Sequence, residues 1–151
     1  MRQKRPLHDS GTVLLMFPAA VLIMFVLGAI VVDVGLTQVR ARELHAVADS
    51  AANDALAALD IDALRRGDGI VIDLAAARAT AEAAVAGGPL SSASVEFVNV
   101  STDTVGRTVI AVTLELHIDL VMAPAVGDLT EVTLRRTGRA TVLGSELLAG
   151  P

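Results

Sequence analysis

Between Gly11 and Val32 the chain runs for 22 residues without a charged side chain, GTVLLMFPAAVLIMFVLGAIVV. No other feature narrows the available folds as much. As an α-helix at about 1.5 Å per residue it is ~33 Å long, enough to cross a hydrocarbon core of about 30 Å. It exceeds the apolar region of an ordinary cleavable signal peptide, and the residues after Val32 continue as helix. The expectation is a retained single-pass anchor over 11–33, a tail over 1–10 and a folded domain over 34–151. Arg2, Lys4 and Arg5 precede the run, Asp33 follows it, and the next basic residues are Arg40 and Arg42. The basic excess near the membrane is N-terminal, so the positive-inside rule puts that end in the cytoplasm and the domain across the cytoplasmic membrane. Pro18 falls in the first two turns, where few upstream hydrogen bonds are lost.

A second helix signal starts almost at once. Over 36–60, Leu44, Ala48, Ala51, Ala55 and Leu59 recur at spacings of three and four, while Arg42, Asp49, Asn53 and Asp60 lie toward other faces. After Gly35 no proline or glycine separates this stretch from the apolar run, which favours one long helix. Residues 61–72 break the pattern. Asp73 is a good N-cap for a helix over 74–86, with Leu74, Ala77, Ala81 and Ala84/Val85 as its apolar side. Gly87-Gly88-Pro89 ends it.

The last sixty residues change period from about 3.6 to 2. Ala93, Val95 and Phe97 predict a strand over 93–101, and Asp103 to Arg107 supplies a turn. Ile110, Val112, Leu114, Leu116, Ile118 and Leu120 alternate with Ala111, Thr113, Glu115, His117 and Asp119 in the clearest strand of the chain. Pro124 and Gly127 mark a loop. A third strand over 130–143 puts Val132, Leu134, Ala140 and Val142 on one side and Thr133, Arg135, Thr137, Arg139 and Thr141 on the other. The acidic outer face of the second strand complements the basic outer face of the third, which predicts that they are neighbours. A three-stranded antiparallel meander with one apolar face needs a cover, and the Ala-rich helices are the cover available. The fold class expected is α+β and pilin-like, helices first and sheet after. Phe97 is the one aromatic residue beyond the anchor, so the core is built from Val, Leu, Ile and Ala.

The residues carry little chemistry. His8 falls on the cytoplasmic side, His45 on a polar helix face, and His117 points outward beside Glu115 and Asp119, as on a solvated sheet face. Asp60, Asp62 and Asp68 resemble the start of a calcium loop. Counted from Asp60, however, Leu64, Arg65 and Val71 occupy the places where an EF-hand needs an oxygen ligand, Gly and Glu. Arg66-Gly67-Asp68 spells an adhesion tripeptide, but three residues are too short a match to weigh. There is no cysteine, no phosphate-binding glycine loop and no serine elbow. No catalytic, metal-binding or cofactor-binding residue is assigned, and no enzymatic activity is expected. After residue 35 there are 15 acidic and 9 basic side chains, a net charge of −6, which argues against nucleic acid as a partner.

The order of these features resembles the TadE/TadG-like proteins of tight-adherence (Flp) pilus systems. The resemblance covers about residues 8–60. Ser10, Gly11, Thr12 and Val13 match the family's small-residue and Thr-Val opening, Asp33 and Gly35 its Asp-x-Gly at the end of the span, and Ala48, Asp49, Ala51 and Ala52 its Ala-Asp-x-Ala-Ala segment. The resemblance implies a membrane-anchored structural or assembly component of a pilus or related secretion apparatus, whose partners are other membrane proteins of that apparatus. TadE-type pseudopilins carry a Glu five residues after the prepilin-peptidase cleavage site. Here Leu14 or Met16 stands at that place, and Glu43 is the first Glu in the chain. The expectation is an unprocessed, permanently anchored protein. Self-association through the apolar and Ala-rich helices is a further expectation, with Gly28 and Gly35, seven apart, on nearly one helix face. The alternative weighed against this is a membrane-anchored extracytoplasmic module that binds a ligand or senses the cell envelope. That module would need a concave pocket with converging polar groups.

Overall fold

The computed structural model of the protein describes residues 10–125 and 127–142. The basic tail with Arg2, Lys4, Arg5 and His8 lies outside the described residues, as do the last residue of the expected third strand and the C-terminus.

The apolar run and the Ala-rich stretch form one continuous helix, α1, Ser10–Ala55. It passes through Pro18 unbroken. At about 1.5 Å per residue its 46 residues span ~69 Å. Its two halves meet different surroundings. Met16, Phe17, Leu22, Met24 and Phe25 are each about two-thirds exposed or more, whereas Leu44, Ala48, Ala51, Ala52 and Ala55 are buried. The first half is long and apolar enough to cross a membrane.

A 3-10 turn, Leu56–Ala58, ends α1, and the chain makes a short excursion. Helix α2, Ile61–Arg66, starts on Asp60, whose carboxylate accepts the Ala63 N–H, and ends at Gly67 in the left-handed conformation (φ 82°). The sequence pattern breaks over 61–72 and predicts no helix there. A six-residue helix shows only one and a half turns of periodicity, too little to register against the Arg-Arg-Gly-Asp-Gly that follows. Leu59 and Ile72 close the excursion as a bridge. Helix α3, Leu74–Ala86, is capped by Asp73, which accepts the N–H groups of Ala75 and Ala76. Ala77, Ala81 and Val85 are its buried face. Leu74, expected on that face, is half exposed at the first position of α3.

The sheet is the expected meander, order β1-β2-β3: β1 Ser94–Thr102, β2 Thr108–Asp119, β3 Glu131–Val142, both pairs antiparallel. Ile110, Val112, Leu114, Leu116 and Ile118 are all buried and face the helices. With Leu44, the alanines of α1, and Ala77, Ala81 and Val85 of α3 they make one core. The predicted charge pairing holds across the outer face: Arg135 reaches Glu115 at 2.8 Å and Glu96 at 3.2 Å.

One strand departs from its simple alternation. A bulge between Val95 and Phe97 shifts the register of β1, so that Val95 pairs with Leu114 but Phe97 pairs with Thr113. A bulge adds one residue and turns everything after it to the other face. The inward row of β1 is therefore Val95, Val98 and Val100, and Phe97 lies on the outer face, about half exposed. Thr113, expected to be solvated there, is buried; its Oγ1 lies 2.8 Å from that of Thr137. It sits on the central strand between Phe97 and Thr137, whose side chains flank it on the same face.

The β1–β2 turn is held by Asp103, which accepts the N–H groups of Arg107 and Val105 and pairs with the Arg107 guanidinium at 2.6 Å. The Arg107 amide, before the other donors, holds the Asp103 carboxyl below the usual carboxylate range. A lowered folded-state pKa contributes stability above the unfolded value, and that contribution fades as the pH falls through the folded one. The turn thus loosens only in acid.

Candidate functional site

The buried stripe of α1 does not stop where the apolar run begins. Stepping back from Leu44 by helical spacing gives Ala41, Thr37, Asp33 and Ala29; Ala29 and Asp33 are buried, and Thr37 and Ala41 partly so. Spacings of three and four keep all of them on one face. The domain therefore grips α1 from Ala55 down to Ala29, inside the uncharged run.

Asp33 is the polar centre of this lower grip. Its carboxylate accepts three consecutive backbone N–H groups of the β2–β3 loop: Val121 at 3.1 Å, Met122 at 3.1 Å to both oxygens, and Ala123 at 2.6 Å. The last of these opens a 3-10 turn, Ala123–Ala125. Asp33 thus caps, from another element, the amides that a local Ser, Asp or Asn would otherwise cap. It is the Asp of the Asp-x-Gly segment noted in the sequence. Gly35 has no such account, since a side chain there would meet nothing within 4 Å, and the same is true of Gly28.

A second contact joins α1 to β3. Gly138 lies on the inward row of β3, opposite Val112, and a Cβ there would collide with the backbone of Ala48 and Asp49. Beside it the Arg139 N–H donates to Asp49 Oδ1 at 3.2 Å. The Ala-Asp-x-Ala-Ala segment now has a physical meaning. Ala48, Ala51 and Ala52 let the sheet backbone approach the helix, and Asp49 accepts a strand amide at the closest point.

Between helix and loop lies an open groove of about 420 Å³, lined by Ala29, Asp33, Val34, Leu120, Leu129 and Val132 among others. Its surface is almost wholly apolar, and Asp33 already spends its oxygens on backbone amides. Thr37 and Gln38 are its other polar lining residues, so few polar groups converge there to orient a small-molecule ligand.

The other residues weighed from the sequence stay apart from this junction. His117 is exposed on the outer sheet face, 3.1 Å from Glu115 and 3.0 Å from Glu131, not Asp119. His45 lies 3.6 Å from Asp49 on the helix surface. Asp60 caps α2, Asp62 pairs with Arg65, and Asp68 with Arg66. Among the described residues no group of three or more His, Cys, Asp or Glu side chains is placed to hold a metal ion. Comparison with family models, with curated proteins and with solved structures yields no match.

Sequence reasoning missed the two decisive contacts, although each left a signal. Asp33 is the backward continuation of the Leu44–Ala48–Ala51–Ala55 stripe. Gly138 is a glycine at an inward position of a strand, the usual mark of a close backbone approach.

Replacing Asp33 by Ala leaves the Val121, Met122 and Ala123 amides without their acceptor. Losing the partner of a buried donor costs about 1–3 kcal/mol, so these amides should exchange with deuterium roughly ten- to a hundredfold faster. Amides of β2 above Leu116 should be little changed. Equal acceleration along all of β2 would show that Asp33 supports the whole sheet rather than the loop.

Proposed function

We propose that this protein is a membrane-anchored, non-catalytic component of a Flp-type pilus or related secretion apparatus, similar to the TadE/TadG-like proteins and acting through protein–protein contacts. The observation that carries the reading is α1 itself. One helix is uncovered and apolar in its first half and forms the helical layer of an α+β domain in its second. Such a helix links a domain rigidly to the bilayer, as a part that must hold position relative to a membrane machine requires. The resemblance in Asp33, Gly35, Ala48, Asp49, Ala51 and Ala52 supports the family, and the roles of Asp33 in holding the β2–β3 loop to the helix and of Asp49 in docking the helix on β3 give a reason for two of those residue types. The partners in this reading are the cytoplasmic membrane and other membrane proteins of the apparatus.

The topology follows from Arg2, Lys4 and Arg5: N-terminus in the cytoplasm, domain outside. Reporter fusions after Pro151 should be active only for reporters that work beyond the cytoplasmic membrane. Intact mass of the membrane-extracted chain should show no cleavage near Ser10–Thr12. A cytoplasmic reporter active after Pro151 would overturn the orientation. A mature terminus at Ser10, Gly11 or Thr12 would replace the permanent anchor with a processed pseudopilin.

A further inference from the structure

We propose that the β2–β3 loop, residues 120–125, is a second membrane contact, dipping into the bilayer beside the anchor and held there by Asp33. This rests on the anchor reading above.

Three observations carry it. The first is position. Met122 shares a shallow groove with Val21, Met24, Phe25, Gly28, Ala29 and Val32, all of them in the uncharged run. If that run occupies hydrocarbon, Met122 must lie at the same depth. The second is side-chain chemistry. Between Asp119 and Asp128 the loop has no charged residue, and Val121 is 65% exposed with no protein surface covering it. The two aspartates bracket the apolar segment as polar flanks bracket a membrane insertion.

The third is the backbone. Leu120 N–H donates to Thr130 O, the next three amides to Asp33, Ala125 to Met122 O, and Gly127 to Ala123 O; Pro124 has no N–H. Every described amide from Leu120 to Gly127 thus has an acceptor within the protein. A loop in water has no need of this, because solvent serves its amides. Hydrocarbon does impose it, since an unpaired amide there costs several kcal/mol. Asp33 is what makes a non-helical loop tolerable at that depth.

The chain has no cysteine, so single-cysteine variants carry one spin label each. Phe25→Cys reports the anchor, Val121→Cys the loop, and Val105→Cys, 72% exposed in the β1–β2 turn at the other end of the sheet, reports water. The full-length protein is reconstituted alone in phosphatidylcholine vesicles. Collision with oxygen, which concentrates in lipid, is compared with collision with a water-soluble nickel chelate. Labels at 25 and 121 should both favour oxygen severalfold over the label at 105, and Asp33→Ala should move the label at 121 toward the aqueous value. A lipid-exposed label at 25 with an aqueous one at 121 overturns the loop proposal, leaves the anchor standing and assigns the patch to a protein partner. An aqueous label at 25 overturns the anchor and the loop together. A label at 121 that stays in lipid after Asp33→Ala overturns the role given to Asp33.

Discussion

Gly138→Ala should unseat α1 from the sheet and lower the melting temperature of the full chain in detergent by roughly 10 °C or more. In an ordinary strand the sign would be opposite, since glycine costs about 0.5–1 kcal/mol relative to alanine through its extra unfolded-state freedom. Here the new methyl group would lie inside the van der Waals envelope of the Ala48 carbonyl and the Asp49 amide. Those are backbone atoms of a helix and cannot rotate aside as a side chain would. Relief requires the helix to move off the sheet, which also breaks the Arg139–Asp49 contact and loosens the packing of Ala48 and Ala52. Overpacking typically costs about 1–3 kcal/mol, and a collision with backbone belongs at or above the top of that range. Gly35→Ala is the matched control. It lies in the same helix with nothing within 4 Å, so helix propensity alone should stabilise it by up to ~1 kcal/mol. If both substitutions stabilise the chain, the close approach of β3 to α1 is wrong.

Leu114→Asp should abolish the folded sheet. Leu114 is fully buried at the centre of β2, between Val95 and Arg136 in register. Burying one Leu contributes about 1.5–3 kcal/mol, and desolvating a carboxylate in its place costs several more. Together these approach or exceed a typical domain stability of about 5–15 kcal/mol. Thr141→Asp, exposed on the outer face of β3, should stay within about 0.5 kcal/mol of the parent. Thr113→Asp should fall between them. The alternation along β2 suggests a harmless site, but Thr113 is buried and paired with Thr137. Thermal unfolding of the three variants, followed by circular dichroism, checks the ranking. Equal losses for Leu114→Asp and Thr141→Asp would mean that the face assignment of the sheet is wrong.

The sequence by itself determined the elements whose periodicity runs long enough to read. The 22 uncharged residues can be little other than an apolar helix, and five inward residues at period two in β2 fix which face is buried, because a one-residue slip would expose the whole row. Asp73 as a cap and Gly87-Gly88-Pro89 as a stop are local chemistry and needed no tertiary information. What the tertiary structure alone decided lies where one inserted residue or one distant partner sets the outcome. The bulge at Glu96 turns Phe97, the domain's single aromatic residue, away from the core, and nothing in Val95-Glu96-Phe97-Val98 announces it. The burial of Thr113 depends on neighbours in two other strands. Asp33 meets its amides 88 to 90 residues away, and Gly138 meets Ala48 and Asp49 across a similar interval. A sequence pattern records a residue's preference for burial or a face. It does not record which distant backbone will bring the matching donor, or demand the missing side chain.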